Sequence, residues 1–194
     1  MKNIGLYIVL GLILLLAGCG CGGYNSIVQQ DQAVKKSWGN VQNQYQRRTD
    51  LIPNLVNTVK GAANFEQTTL TQVIEARAKA TSTTINANDL TPENVQKFQQ
   101  AQGQLSGAMS RLVVSVENYP DLKANANFQS LMAELSGTEN RINAARVDFN
   151  AAVETYNTSI KTVPNVFFAG IFGYKEKGFF AAEVGADKTP KVNF

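Results

Sequence analysis

Apolar residues recur along most of this chain at alternating intervals of 4 and 3. Val34, Trp38, Val41, Tyr45, Arg48, Ile52, Leu55 and Val59 form the first series, interrupted by one arginine. Such spacing lays a narrow apolar stripe along an α-helix, as in helix bundles and coiled coils. The series continues loosely through Ala62, Glu66, Leu70, Val73 and Arg77. An unbroken helix over Tyr24–Ala80 would exceed roughly 80 Å, so a break is expected. Pro53 lacks an amide proton and disfavours helix at Ile52, which predicts a kink there. Gly61–Asn64 predicts the chain reversal, with Asn64 able to cap the next helix and Gln67 at the capping-box position.

Thr81–Asp89 is polar and β-branched and reads as a loop. Thr91-Pro92-Glu93 then supplies an N-cap, a proline at the first helical position and an acid near the positive helix end. The helix that follows carries Val95, Phe98, Leu105, Met109, Leu112 and Val116 on one stripe, with Gln102 as its polar exception. Tyr119-Pro120-Asp121 breaks it. The last series runs through Phe128, Leu131, Leu135, Thr138, Ile142, Ala145, Phe149, Ala152, Tyr156 and Ile160 until Pro164 stops it. Residues 165–194 change character, holding six of the ten phenylalanines and four glycines. They predict an irregular segment whose rings pack on the helices or meet a partner. The whole pattern predicts an all-α fold: an antiparallel four-helix bundle with long helices, an N-terminal membrane anchor and an irregular Phe-rich tail. The expected division is an anchor at 1–19, a linker at 20–26, the bundle at 27–164 and the tail at 165–194.

The anchor rests on the run Ile4–Gly18, 15 residues with no charge. As a helix it spans about 22 Å, short of the roughly 30 Å bilayer core, so it resembles the apolar region of a signal peptide. Its ending, Leu16-Ala17-Gly18-Cys19, resembles the lipobox of bacterial lipoproteins, which implies a diacylglycerol on the Cys19 thiol and cleavage before it. Several acyl chains give stable anchoring where one is marginal. A plain transmembrane helix over Ile4–Gly23 is the alternative. Either way the chain meets a lipid bilayer through its N-terminus, and the lipobox-like ending places the domain on the exported side.

Composition removes several chemistries. The chain has 194 residues and a formal charge of +3, with no basic stripe carrying interleaved aromatics, so nucleic acid is not expected as a partner. It contains no histidine, which takes away the usual general base and the commonest metal ligand. Its two cysteines, Cys19 and Cys21, both lie beside the anchor, leaving the bundle without a disulfide, thiol nucleophile or thiolate metal site. The acids are scattered and no pair of carboxylates stands out for hydrolysis. No cofactor, metal site or catalytic residue is expected.

Blocks of residues along the chain resemble the LemA family. They are Trp38-Gly39-Asn40-Val41-Gln42, then Gln44-Tyr45-Gln46-Arg47-Arg48-Thr49-Asp50-Leu51-Ile52-Pro53-Asn54-Leu55-Val56, then Glu75-Ala76-Arg77. The second half agrees through Tyr119-Pro120-Asp121-Leu122-Lys123-Ala124-Asn125, Glu139-Asn140-Arg141-Ile142, Arg146, Phe149-Asn150 and Tyr156-Asn157. The family usually shows tyrosine where this chain has Phe149. The resemblance implies a helical bundle behind a membrane anchor and no reaction. It implies a scaffold or adaptor of the bacterial envelope, with an unidentified protein partner and a membrane protease system among the candidates. Self-assembly that organises or shapes the membrane is the alternative role.

Arg47, Arg48 and Asp50 form the first charged constellation, and Glu139, Arg141 and Arg146 the second. Arg48 sits on the apolar stripe, and a buried guanidinium needs partners. With Glu75 and Arg77 these residues read as an interhelical ion-pair network that fixes register, Glu134 and Glu117 being further acids in reach. An anion or lipid-headgroup site is the rival reading. Asn140, Asn150 and Asn157 suit hydrogen bonds between helices. At the anchor, metabolic labelling with an alkynyl fatty acid should mark the wild type and lose that mark in Cys19→Ser. Equal labelling of both would remove the lipoprotein reading.

Overall fold

The computed structural model describes the backbone of residues 4–61 and 65–181, and side chains from residue 22 onward within those ranges. The lipid attachment expected at Cys19, the anchor side chains and tail residues 182–194 lie outside the described residues. The fold is all-α, with six helices and no strand among the described residues. They are α1 (Ile4–Lys60), α2 (Gln67–Ser82), α3 (Pro92–Val116), α4 (Pro120–Lys123), α5 (Ala126–Lys161) and α6 (Asn165–Phe172).

The apolar stripes read from the sequence are the buried faces. Val34, Trp38, Val41, Ile52, Leu55 and Val59 of α1 are fully shielded from water. Val95, Leu105 and Leu112 of α3, and Thr138, Ile142, Phe149 and Tyr156 of α5, are buried on the facing sides. Arg47 of α1 meets Glu134 near the start of α5, while Trp38, earlier in α1, meets Phe149, further along α5. These two helices therefore run antiparallel. Arg111 reaches Gln72 and Gln102 reaches the Ala80 carbonyl, so α2 and α3 are antiparallel too. α3 follows the direction of α1, with Trp38 against Phe98 and Arg48 against Ser106.

The helix start at Thr91 forms as its sequence dictates: its side chain accepts from the Asn94 amide at 3.3 Å, and Pro92 occupies the first turn. The start of α5 is capped in the same way by Asn125, which accepts from the amides of Asn127 and Phe128.

Pro53, where a kink is expected, lies inside α1, which runs on to Lys60 beside the expected reversal at Gly61–Asn64. Proline removes the hydrogen bond that the Thr49 carbonyl would accept four residues back. The Arg77 Nε of α2 donates to that carbonyl instead, at 2.8 Å. Asn64, expected to cap the next helix, lies outside the described residues; α2 starts at Gln67 with Glu66 at the N-cap and no side-chain cap bond. Two expectations differ from the structure. Residues 20–26, expected as a linker, are helical within α1. Glycine weakens a helix interior, yet Gly23 leaves room for the Asn165 side chain, whose Oδ1 a Cβ there would meet at 2.5 Å. Lastly, the tail is not irregular throughout. Residues 165–172 form α6, whose apolar run packs partly on α1 and α5.

The Arg77 contact predicts a coupled pair of substitutions. Arg77→Met should lower the unfolding free energy measured in urea by about 1–3 kcal/mol, because it leaves a part-buried carbonyl without a donor. In a Pro53→Ala background, where a backbone amide again serves Thr49, most of that cost should vanish from the double-mutant cycle.

Candidate functional site

Two apolar clusters make up the core. One surrounds Trp38 and includes Phe98, Phe149, Tyr156 and Phe180. The other surrounds Leu55, Val73, Leu105, Leu112 and Leu135. Between them, along each main helix, sits a buried polar residue: Arg48 and Thr49 on α1, Gln102 on α3 and Thr138 on α5.

Arg48 is the centre of this layer. Its Nη2 donates to Gln102 Oε1 at 2.6 Å and to the Gln102 carbonyl at 3.3 Å. Its Nη1 donates to Ser106 Oγ at 2.9 Å and Glu139 Oε2 at 3.1 Å. The guanidinium also lies over the Tyr45 ring, 5.0 Å from its centre. Gln102 passes the connection on, because its Nε2 donates to the Ala80 carbonyl of α2 at 3.3 Å. The ion pair is lopsided: the Arg48 side chain is 5% exposed and the Glu139 side chain 42%. A pair wetted on one side contributes little net stability. The fixed neutral acceptors do more here to make burial of the cation tolerable.

The remaining expected residues turn to other partners. Arg47 pairs with Glu134 across the surface of α1 and α5. Asp50 accepts from Gln46 on its own helix at 2.7 Å. Arg77 serves the Thr49 carbonyl, and Glu75 is exposed on α2. Arg141 donates to Thr138 Oγ1 at 3.0 Å. Arg146 donates to the Ala181 carbonyl at 2.9 Å and lies over the Phe180 ring at 5.1 Å. Of the expected network, the structure brings Arg48 and Glu139 into direct contact.

A second constellation holds the tail. After α6 the chain runs without regular structure through Tyr174–Ala181 and is gripped by carboxamide side chains. Asn157 donates to the Lys177 carbonyl and accepts from the Lys177 amide, both at 2.9 Å. Asn150 makes the same double contact with Phe180, at 3.0 and 2.9 Å. Gln99 of α3 repeats it at Ala181, at 2.9 and 3.0 Å. Each amide imitates the hydrogen bonds of a neighbouring strand; at Lys177 the backbone groups are buried and would otherwise be unpaired, at Phe180 they are part-buried and at Ala181 exposed. The Gly178 amide donates to the Leu90 carbonyl at 2.9 Å. A Cβ at Gly178 would lie 2.6 Å from Pro92 Cα, so only glycine permits this approach. Phe180 then drops into the core with its ring centre 6.1 Å from Trp38 and 5.4 Å from Phe149. Asn150 and Asn157, expected to link helices, secure this segment instead. Gln99 carried no distinguishing signal in the sequence, since it sits among several glutamines.

Charge reinforces the grip. Lys177 Nζ is 2.7 Å from Asp31 Oδ1, and Lys35 holds the other carboxylate oxygen at 2.7 Å. Burial alone would raise the Asp31 pKa, but hydrogen bonds and charge from Lys177 and Lys35 outweigh it, leaving the carboxyl below its usual 3.8. The Tyr156 hydroxyl donates to the Lys175 carbonyl at 3.0 Å. Burial first, then the negative charges it would meet at Asp31 and Tyr174, push the Tyr156 pKa up to about 12.

Among the described residues, no three His, Cys, Asp or Glu side chains lie together as a metal site requires. Two clefts flank Arg48, one reaching Gln96, Gln100 and Arg146, the other Met109, Leu135 and Asn143. Glu139 is the one carboxylate lining either, and the guanidinium already engages it. This arrangement suits mechanical cohesion better than proton transfer, which needs an acid or base free to exchange. No helix among the described residues is long and apolar enough to cross a membrane.

A model described as the LemA family matches residues 37–194 of the chain. The chain is also similar to Magnetosome protein MamQ 2 of Paramagnetospirillum magneticum, with 26% identity over 190 residues covering 87% of this chain and 68% of that protein. It is similar to Magnetosome protein MamQ of Magnetospirillum gryphiswaldense, with 33% identity over 95 residues, 47% of this chain and 35% of that protein. A third relative is Protein LemA of Metamycoplasma hominis, with 23% identity over 141 residues, covering 73% and 61% respectively.

The tail clamp should yield at both ends of the pH scale. Asp31 has a depressed folded pKa, so its contribution is fully present above the unfolded value of 3.8 and is lost as pH falls from there through the lower folded one. Tyr156 has a raised folded pKa, so its contribution is present below 10.0 and is lost as pH climbs from there towards about 12. Urea midpoints measured across pH should show both limbs. Asp31→Asn should flatten the acid limb and Tyr156→Phe the alkaline one, each leaving the other in place.

Proposed function

The chain belongs to the LemA family, and on that premise we propose that it is a non-catalytic, membrane-anchored helical scaffold of the bacterial cell envelope. In this reading α1, α2, α3 and α5 form an antiparallel four-helix bundle, the apolar run of residues 4–18 stays on the chain as the uncleaved alternative to the lipobox and tethers it to the bilayer, and its exposed faces bind other proteins.

The observation that carries the reading is the continuity of α1. One helix runs from Ile4 through the glycines at 22 and 23 to Lys60, and from Ile27 onward it supplies a buried face of the core. A tether and a bundle built on one rod give a scaffold of fixed standing height. Confinement to a surface raises the effective concentration of partners sharing it, with no new contact required. Relatives named as magnetosome proteins fit a membrane-organising setting. The polar centre of the bundle fits as well, since its one buried guanidinium is committed to structural partners.

The test is crosslinking in cells followed by mass spectrometry, with the full chain and with the double variant Leu10→Arg/Leu14→Arg. Charges placed in the apolar run cost about 2.5–3.5 kcal/mol each at the centre of a membrane helix. The variant should leave the membrane fraction and lose its partner crosslinks while keeping its helical circular dichroism spectrum. A variant that keeps the same partners at the same yield away from the membrane would overturn the tethering role. Turnover of a substrate by the purified chain, lost on Arg48→Ala with folding intact, would overturn the non-catalytic one.

A further inference from the structure

We infer that α6 is a membrane-interface helix, with Phe167, Ile171 and Phe172 seated among lipid acyl chains beside the first helix's apolar start. This rests on the anchor proposed above and adds a second, independent point of lipid contact that orients the bundle.

The first argument is composition by face. After Asn165, α6 reads Val-Phe-Phe-Ala-Gly-Ile-Phe, with no polar side chain. Its inner side is accounted for: Ala169 is buried and Phe168 packs against the core. Its outer side is not. Phe167 is 64% exposed, Ile171 76% and Phe172 58%, and Val163 in the turn before the helix is 76% exposed. Helix spacing places residues 167 and 171 on one stripe, away from the buried Ala169. Elsewhere the exposed large apolar residues, such as Ile74, Val114 and Val147, stand singly. Isolated ones are ordinary, but a contiguous apolar patch marks a contact surface.

The second argument is position. Asn165 and Phe168 lie against Gly23, and the Phe172 ring centre is 4.8 Å from that of Tyr24. This puts α6 at the level where α1 emerges from its apolar run, whose last residue is Gly18. Five residues of helix separate Gly18 from Gly23, about 7.5 Å along the axis. The polar interface on each side of a bilayer is of the same thickness, roughly 5–8 Å. An interfacial helix buries its apolar face about 5–10 Å into the headgroup and acyl boundary. A bilayer that takes residues 4–18 therefore meets the outer stripe of α6 at the matching depth.

Chemistry at the margin agrees. Tyr24 and Tyr174 stand at the same end of the bundle, and tyrosines favour the headgroup level. Lys175 follows α6 and is exposed, where a cationic group meets anionic lipid heads, while Lys161 before it pairs with Glu176 at 2.8 Å. A second copy of this chain is the rival occupant. The exposed side chains of the stripe offer on the order of 500 Å², below the roughly 800 Å² per partner of a stable interface. For a lipid surface that is enough, because the tether already supplies proximity.

The experiment uses the full chain reconstituted into vesicles of phosphatidylethanolamine and phosphatidylglycerol, with Phe167→Trp read against wild type and against Val114→Trp. Val114 is exposed on α3 at the far end of the bundle, so it serves as the water-facing control. The tryptophan added by Phe167→Trp should give blue-shifted emission, lose intensity to brominated lipid and resist iodide. That added by Val114→Trp should do the reverse. Vesicle flotation of the wild type is measured in parallel. Failure to float overturns the anchor and this inference together. Flotation with iodide quenching at position 167 overturns this inference alone and leaves the anchor standing. Protection from both quenchers, with dimers in mild detergent, overturns it in favour of a second copy.

Discussion

A peptide group taken out of water must find another partner, and the least obvious contacts of this molecule answer that demand. Proline at 53 strands the Thr49 carbonyl, and Arg77 from the next helix supplies the missing donor. Ile85, in the loop before α3, offers its carbonyl to the core, where Trp38 Nε1 and Gln42 Nε2 both reach it. The segment after α6 has no neighbouring strand, yet Asn157, Asn150 and Gln99 each present a donor and an acceptor to it. An unmatched group of this kind costs about 1–3 kcal/mol, a large fraction of the stability of an ordinary domain. The arrangement of helices, loop and tail is thus held by a few side chains that substitute for backbone.

The buried polar layer has a related effect. Apolar stripes alone tolerate sliding, because one leucine layer resembles the next. Placing Arg48, Gln102 and Thr138 between two apolar clusters removes that freedom: a shift by one turn would move a guanidinium into hydrocarbon. The half-wet Glu139 keeps the charge neutralised without full desolvation of both ions. The layer reads as a register device that the heptad spacing needs in order to specify one alignment.

What was legible in the sequence follows from what is periodic. The stripes from Val34 to Val59 and from Phe128 to Ile160 became buried faces because spacing of 3 and 4 maps directly onto one side of a helix. Thr91-Pro92 and Pro164 marked boundaries because their chemistry is local. The donor that replaces the one missing at Pro53 was not legible, since it is an arginine 24 positions later whose target is a carbonyl rather than a carboxylate. The candidate site was legible in part. Arg48 announced itself as a cation on an apolar stripe, and Glu139 was among its foreseen partners. Its shortest contact, Gln102, had shown only as an exception to the pattern. The tail was the least readable, because its docking pairs residues 157, 150 and 99 with backbone atoms that carry no residue-specific mark.

The uninterrupted first helix has a geometric consequence. A helix turns about 100° for each residue, so the number of residues between any held point near Ile4 and the core position Ile27 sets the compass bearing of the whole body. A hinge would erase that relation; a rod preserves it. Gaining or losing a single residue in this stretch would swing every outward face by more than a quarter of a circle while leaving its composition untouched. Direction, as well as height, is thereby written into the length of one segment.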